Sequence, residues 1–442
     1  MRTGNAEDSV HSVLFEEPDY RLTTAHRQSR TMNSAYLANR QTADCPPNVG
    51  PMLSYSSLTK RLEGLGSDQW EIHNRATTRR EAGDEIVMLS IGEPDTRTPS
   101  RIVQVAIGAL ENGRTHYSAS QGEQRFLEAL SAKYSARTGR PIDPDQAIFM
   151  PGSHTALYAV CHALIESGDD VLLPEPYYTA YHPVVASTGG HIVHVPLRPE
   201  DDFRLTMKAL KKSVTPTSKA LLINNPHNPT GAVLTQNMVE EVAGFCREHG
   251  LWLISDEVYE HLVYNGPFAS PFDLDEYADE VVVVSSVSKS HSMTGWRCGW
   301  AVGSAELIAR TQLVAEAMMF GAQPFLQDAA AMALTEDFEE CEAMRSNYQR
   351  RASTVVETFA ETERIRCYPP QAGIFVMLDV RPTGLSGVEF ASRLLDEKAV
   401  ATMPGESFGP TGSGHIRISL TASDDELIKG CRGILSFANT LT

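Results

Sequence analysis

Between residues 147 and 286 the chain alternates short apolar runs with amphipathic stretches, and this alternation restricts the fold more than any other feature. Strand-like runs fall at 147–150, 171–173, 192–195, 220–223, 251–255 and 281–285. Between them, 155–165, 178–187, 205–212 and 238–248 carry helical spacing. Strands joined through helices pair in parallel, so the pattern predicts a mostly parallel sheet with helices on both faces and right-handed crossovers. The last run opens with four valines, Val281 to Val284. β-branched residues of this kind suit a strand covered on both sides. It leads into Ser285, Ser286, Val287, Ser288 and Lys289, with Thr294, Gly295, Trp296 and Arg297 soon after. Open α/β folds keep their sites at the carboxyl ends of strands. A lysine desolvated there, among small polar residues, has the setting of a Schiff-base nucleophile.

Outside this series the chain changes character. Residues 1–50 are polar and aperiodic, and we expect disorder or an arm laid on a neighbouring subunit. Residues 56–82 read as mainly helical, 87–91 as a short strand, and 100–110 and 124–134 as helices. After the lysine loop, helices are expected at 304–320, 325–334 and 339–361. Strands follow at 373–380, 400–402 and 415–419, with helices at 390–397 and 424–439. The expectation is α/β: a large domain over 106–362, and a smaller α+β domain of 51–105 with 363–442, the long helix near 339–361 linking the two.

Formal charge is −18, from 38 basic and 56 acidic residues. That argues against nucleic-acid or anionic-membrane partners, which select basic surfaces. The seven cysteines show no metal-ligand spacing and are expected as reduced thiols in the cytoplasm. The sequence shows no signal-peptide h-region and no apolar run long enough to span a bilayer. No metal is expected, since no His/Cys/Asp cluster has ligand spacing.

Five constellations carry chemistry. Gly152, Ser153, His154 and Thr155 stand between a strand and a helix, as an anion seat or a plain helix cap does. Pro174 to Tyr181 brings aromatics to a strand end, for packing or for stacking on a flat heteroaromatic ring. Asn224 to Gly231 is a turn in which Asn228 either closes an Asx-turn or donates to a ligand oxygen. Asp256 ends a strand, where a carboxylate needs a partner, and a protonated ring nitrogen is one; Tyr259 follows three residues later. Alternation sets Arg417 on the face opposite Ile416 and Ile418, either turned inward with a fork suited to a carboxylate or facing solvent from an edge strand.

In chain order, Gly92-Glu93-Pro94-Asp95, Tyr117, Pro174 to Tyr181, Asn224 to Gly231, Asp256-x-x-Tyr259, Ser286-x-x-Lys289, Thr294-Gly295-Trp296-Arg297 and Arg417 closely resemble the pyridoxal-phosphate-dependent class I/II aminotransferases of fold type I. The resemblance covers about residues 70–435. It implies a seven-stranded sheet in the large domain, pyridoxal 5'-phosphate as cofactor, and amino group exchange between an amino acid and a 2-oxo acid. Carried over residue by residue, Lys289 is the Schiff-base and proton-transfer lysine and Asp256 the partner of the pyridinium nitrogen. Tyr259 and Asn228 bind the phenolic oxygen, and Tyr178 stacks on the ring. Ser153, His154, Ser286 and Arg297 hold the phosphate. Arg417, Asn228 and the backbone at Ile91 and Gly92 grip the substrate α-carboxylate. The family's homodimer implies shared sites, with Tyr117 and the segment around Phe320 reaching the other subunit. His154 departs from the small or hydroxyl residue usual in this phosphate loop.

Trp70-Glu71-Ile72-His73-x-Arg75-Ala76, Ser288 to Trp296, Met319-Phe320-Gly321, Ile374-Phe375-Val376-Met377-Leu378-Asp379, Arg381 to Ser386 and Gly405 to Pro410 resemble the arginine–pyruvate transaminase subgroup. This implies a basic or broad amino donor with pyruvate as acceptor. An acidic residue close to the side-chain pocket would favour arginine, and Glu93 is the candidate, although Gly92-Glu93-Pro94-Asp95 is common across the family. Aspartate, alanine, aromatic and methionine donors stay open, as does a C–S β-lyase on the same fold.

Overall fold

The computed structural model describes residues 53–65 and 70–441, and the arm expected over 1–50 lies outside them. Among the described residues, thirteen strands make three sheets. They are β1 (Val87–Met88), β2 (Ala147–Met150), β3 (Asp170–Glu175), β4 (His191–Pro196), β5 (Ser218–Asn224), β6 (Trp252–Asp256) and β7 (Val281–Ser286). After the lysine loop come β8 (Gly299–Val302), β9 (Arg366–Tyr368), β10 (Phe375–Asp379), β11 (Val400–Ala401), β12 (Met403–Pro404) and β13 (His415–Ser419).

The central sheet has seven strands in the order β2-β8-β7-β6-β5-β3-β4. The β7–β6–β5–β3–β4 run pairs in parallel, and β8 is antiparallel to both of its neighbours. The periodicity shows six of these strands. It misses β8, whose four residues Gly299, Trp300, Ala301 and Val302 follow the lysine loop without a turn signal of their own. Val281 to Val284 are buried on both faces, as a mid-sheet strand requires. One core packs Phe126, Phe149 and Trp300 on one side of the sheet, and a second packs Leu157, Val160 and Tyr181 on the other.

The second large sheet has four strands in the order β12-β13-β10-β9, all antiparallel. β1 pairs in parallel with β11, Val87 opposite Val400, so the segment near Leu89 joins the chain's C-terminal third. Both belong to a third core, with Ile72 and Ala76 of the helix Glu71–Glu81, the helices Gly387–Lys398 and Asp424–Ala438, and one face of the helix Glu339–Phe359. The residues from Ser56 onward form one compact unit. Among the described residues, no helix is long and apolar enough to cross a membrane.

Candidate active site

The carboxyl ends of β5, β6 and β7 open into a cavity of about 320 Å³, closed from the other side by β13 and the segment after β1. Every site residue expected from the sequence lines it except Tyr117.

Lys289 follows β7 by three residues. Its Nζ donates to the Gly92 carbonyl at 2.7 Å. Burial pushes its pKa down to about 8; the charges of Arg417 and Arg297 add to the shift and Glu93 opposes it. A lysine so lowered carries a useful fraction of neutral, nucleophilic amine near neutral pH.

Asp256 ends β6, paired with Asn224 of β5 and Val284 of β7, so the sheet itself fixes where its carboxyl points. Tyr181 Oη donates to Oδ2 at 2.7 Å, and the Val258 N–H to Oδ1 at 3.3 Å. Burial raises this carboxyl to about 6, against the pull of those two donors. Both donors are neutral, so a cation placed against the carboxylate would restore its ionised form. Tyr259 is buried and hydrogen-bonded with Asn228, and burial pushes its phenol well up, which keeps it a donor. Tyr178 lines the same cavity, its ring 5.5 Å from that of Tyr181 in a T-shaped pair.

The other end of the cavity is an anion cradle. Ser153 starts the 12-residue helix Ser153–Leu164, so its first-turn N–H groups, with that of His154, face the cavity from the positive end of the helix dipole. Arg297 holds a left-handed φ of 55°, costly for a residue with a side chain, and its Nη1 donates to the Thr294 carbonyl at 2.9 Å. Its guanidinium lies so close over Gly152 that a Cβ there would collide with it, and a Cβ on Gly299 would strike the Gly152–Ser153 backbone. Two glycines are therefore what let arginine and helix start converge. Ser286 completes the cradle from the last position of β7 and accepts the Ser288 N–H at 3.3 Å.

Arg417 reaches the cavity from β13. Ile416 and Ile418 enter the core behind, and Arg417 turns to the opposite face, as the alternation predicts. It is 3% exposed. Nη1 donates to Asn228 Oδ1 at 3.1 Å and Nη2 to the Ser90 carbonyl at 2.8 Å. Phe375 and Phe408 sandwich the guanidinium, with ring centroids 3.8 and 4.7 Å from Cζ. Nε has no partner. Burial lowers its pKa to about 10, leaving it charged at neutral pH. A buried cation held only by neutral groups is costly unless an anion arrives.

Four more residues contribute: Tyr181, Trp70 and Phe375, to which the sequence reading assigns no role, and Glu93, which it offers only as a candidate for the donor side chain. Tyr181 is the donor to Asp256, and its spacing from Tyr178 was the available signal. Glu93 lines the cavity and accepts from Thr294 Oγ1 at 2.6 Å. Trp70 lines it from the start of the helix Glu71–Glu81. Phe375 stands in the segment Ile374-Phe375-Val376-Met377-Leu378-Asp379 that resembles the subgroup, and nothing local in it points to Arg417. Tyr117 sits elsewhere, 83% exposed, its ring 5.1 Å from that of Phe320, which is 80% exposed.

Residues 84–434 match the family Aminotransferase class I and II. The chain belongs to the class I and II aminotransferases. The aminotransferase is 43% identical to the arginine–pyruvate transaminase AruH of Pseudomonas aeruginosa over 382 residues, covering 86% of this chain and 97% of that one. It is 36% identical to an aspartate aminotransferase of Pyrococcus abyssi over 350 residues, 78% of this chain and 89% of the relative. The solved aspartate aminotransferase from Thermus thermophilus with maleate superposes with a TM-score of 0.82 at 31% identity, covering 87% of this chain and all of that one. The enzyme is thus a transaminase of the aspartate aminotransferase fold and depends on pyridoxal 5'-phosphate. The residues present fit that group. The cradle suits a phosphate, the buried Asp256 lacks a cation among its hydrogen-bond partners, and Lys289 lines the same cavity.

Proposed function

We propose that the enzyme transfers the amino group of arginine, or of another basic L-amino acid, to pyruvate. The 43% identity to an arginine–pyruvate transaminase over nearly the full length of that relative carries the reading. Glu93 at the cavity wall supports it, since a carboxylate there favours a cationic side chain. A donor panel with pyruvate and 2-oxoglutarate tests it. The expected result is a higher kcat/KM for arginine than for aspartate with pyruvate; activity with aspartate and none with arginine overturns the donor assignment. Pyruvate release without any acceptor would indicate a β-lyase instead.

Within this reading the residues divide the work. When bound, the cofactor supplies the electron sink for charge that develops at the substrate Cα. Ser153, His154, Ser286 and Arg297 would hold its phosphate, Tyr178 would pack on its ring, Tyr259 and Asn228 would donate to its phenolic oxygen, and Asp256 would favour a protonated ring nitrogen. Arg417 takes the substrate α-carboxylate in its fork, with Asn228 and the backbone at Ile91 and Gly92. That grip sets the Cα–H bond toward Lys289, whose Nζ is base and then acid for the proton.

The four-stranded sheet with β1 and its helices serves as a small domain of 51–105 with 363–442, carried on the large domain of 106–362 by the helix Glu339–Phe359. The active form is a homodimer in the cytoplasm. Tyr117 and Phe320, two exposed aromatics in contact with each other, serve the site of the other subunit, and the described cysteines are free thiols, in keeping with a reducing compartment.

A further inference from the structure

Glu175 and His194 lie outside the cavity yet touch two of its walls. Glu175, the last residue of β3, is 2% exposed. Its Oε1 accepts the Thr411 N–H at 2.7 Å, and its Oε2 meets Nδ1 of His194 at 2.5 Å. Burial pushes this carboxyl up, but the bonds from His194 and Thr411 outweigh it and hold it below the usual carboxylate range. His194 stands on the edge strand β4, its side chain 45% exposed and its ring stacked on Tyr177 at 5.8 Å and 18°.

Each partner leads to the site. Tyr177 directly precedes Tyr178, and its N–H donates to the Phe408 carbonyl at 2.9 Å. Phe408 is the ring on one side of the Arg417 guanidinium. Thr411 lies three residues beyond Phe408, and Gly409 between them has a φ of 111°. A Cβ on Gly409 would run into the Glu175 side chain, so the loop approaches this closely because the position is glycine. The other end of the loop is fixed by Glu406, whose Oε1 accepts the N–H groups of Gly387 and Gly414 at 2.9 and 3.0 Å.

We propose that Glu175 and His194 are positioning residues for the substrate α-carboxylate site: they hold loop 405–414 against the Tyr177–Tyr178 wall and so fix Phe408 behind Arg417. The inference rests on the reading of Arg417 as the carboxylate clamp. Arg417 is oriented by two neutral acceptors and two rings, with Nε unpartnered, so the rings carry much of its alignment. Neither Glu175 nor His194 touches Lys289 or Asp256. Loosening the loop therefore weakens amino acid binding and leaves the proton transfer step largely intact.

The test compares His194→Ala, His194→Gln, Glu175→Gln and Arg417→Lys as holoenzymes, measuring KM for the donor, kcat and bound-cofactor absorbance. His194→Ala is expected to raise KM about five- to tenfold, the net worth of one typical hydrogen bond, with kcat and absorbance held. His194→Gln, which keeps an N–H donor for Glu175, recovers most of the loss. Glu175→Gln keeps the Thr411 bond while removing the charge, and raises KM in the same direction even if His194→Ala does not fold. An unchanged KM in Glu175→Gln, or a fall in kcat and cofactor absorbance without a KM effect, overturns the proposal. Arg417→Lys with an unchanged KM overturns the clamp assignment beneath it.

Discussion

The two halves of the cavity are built in different ways. The cofactor half grows from the ends of adjacent parallel strands: Asn224, Asp256 and Ser286 are the last residues of β5, β6 and β7, with Lys289 three residues on. The sheet register alone places these groups side by side. The carboxylate half is assembled across sheets. Arg417 of β13 is held by Asn228 from the turn after β5, Ser90 from the segment after β1, and rings from β10 and from loop 405–414. One half is set by local strand geometry, the other by long-range packing, so damage to them should show in different constants: chemistry and cofactor binding for the first, substrate KM for the second.

The largest expected separation comes from Lys289→Ala. Losing both nucleophile and proton carrier should lower kcat by about 10³-fold or more while the phosphate cradle still binds the cofactor. Turnover within about tenfold of wild type would remove Lys289 from the mechanism. Asp256→Asn should come next, with kcat down about 10²- to 10³-fold, the scale of one lost electrostatic stabiliser, and KM for the donor little changed. In the other half, Arg417→Lys should raise KM for the donor about ten- to a hundredfold, because an ammonium loses the bidentate fork and its stacking between two rings. If Arg417→Lys instead lowers kcat alone, the division between the halves fails.

The pH dependence sharpens the same contrast. In the proposed mechanism the neutral amine of Lys289 is the reactive form, and its pKa is pushed down to about 8. Cofactor uptake by the apo-enzyme should therefore quicken as pH rises toward 8 and level off above it. A rise that continues toward the ordinary lysine range would show that the amine is not desolvated. The smallest effect belongs to Tyr181→Phe, which removes one neutral donor from Asp256: about a three- to tenfold loss in kcat/KM, the net worth of one typical hydrogen bond.

How much of the site could be read from the sequence follows the same line. Lys289, Asp256 and Asn228 stand directly after apolar strands, and strands announce their ends. Arg417 was readable because alternation in β13 puts it opposite Ile416 and Ile418. The residues that complete the clamp were not. Phe375, Phe408 and Ser90 are 327 to 9 positions from Arg417 along the chain, and their convergence depends on how β1, β10 and β13 come together. Tyr181 was quoted only as part of an aromatic segment, because nothing local shows that its hydroxyl meets Asp256. In the fold, the parallel strands and long helices matched their periodicity to within a few residues. The sequence does not show β8, β9 or β12: β8 follows the lysine loop without a turn signal of its own, and β9 and β12, of three and two residues, are too short to show a period.

The assignment of Lys289 underlies the account and can be tested directly. The holoenzyme is reduced with borohydride, digested, and its peptides are analysed by mass spectrometry. The account predicts one phosphopyridoxyl adduct, on the peptide that carries Lys289. An adduct on another lysine, or none in an enzyme that holds its cofactor, would contradict it.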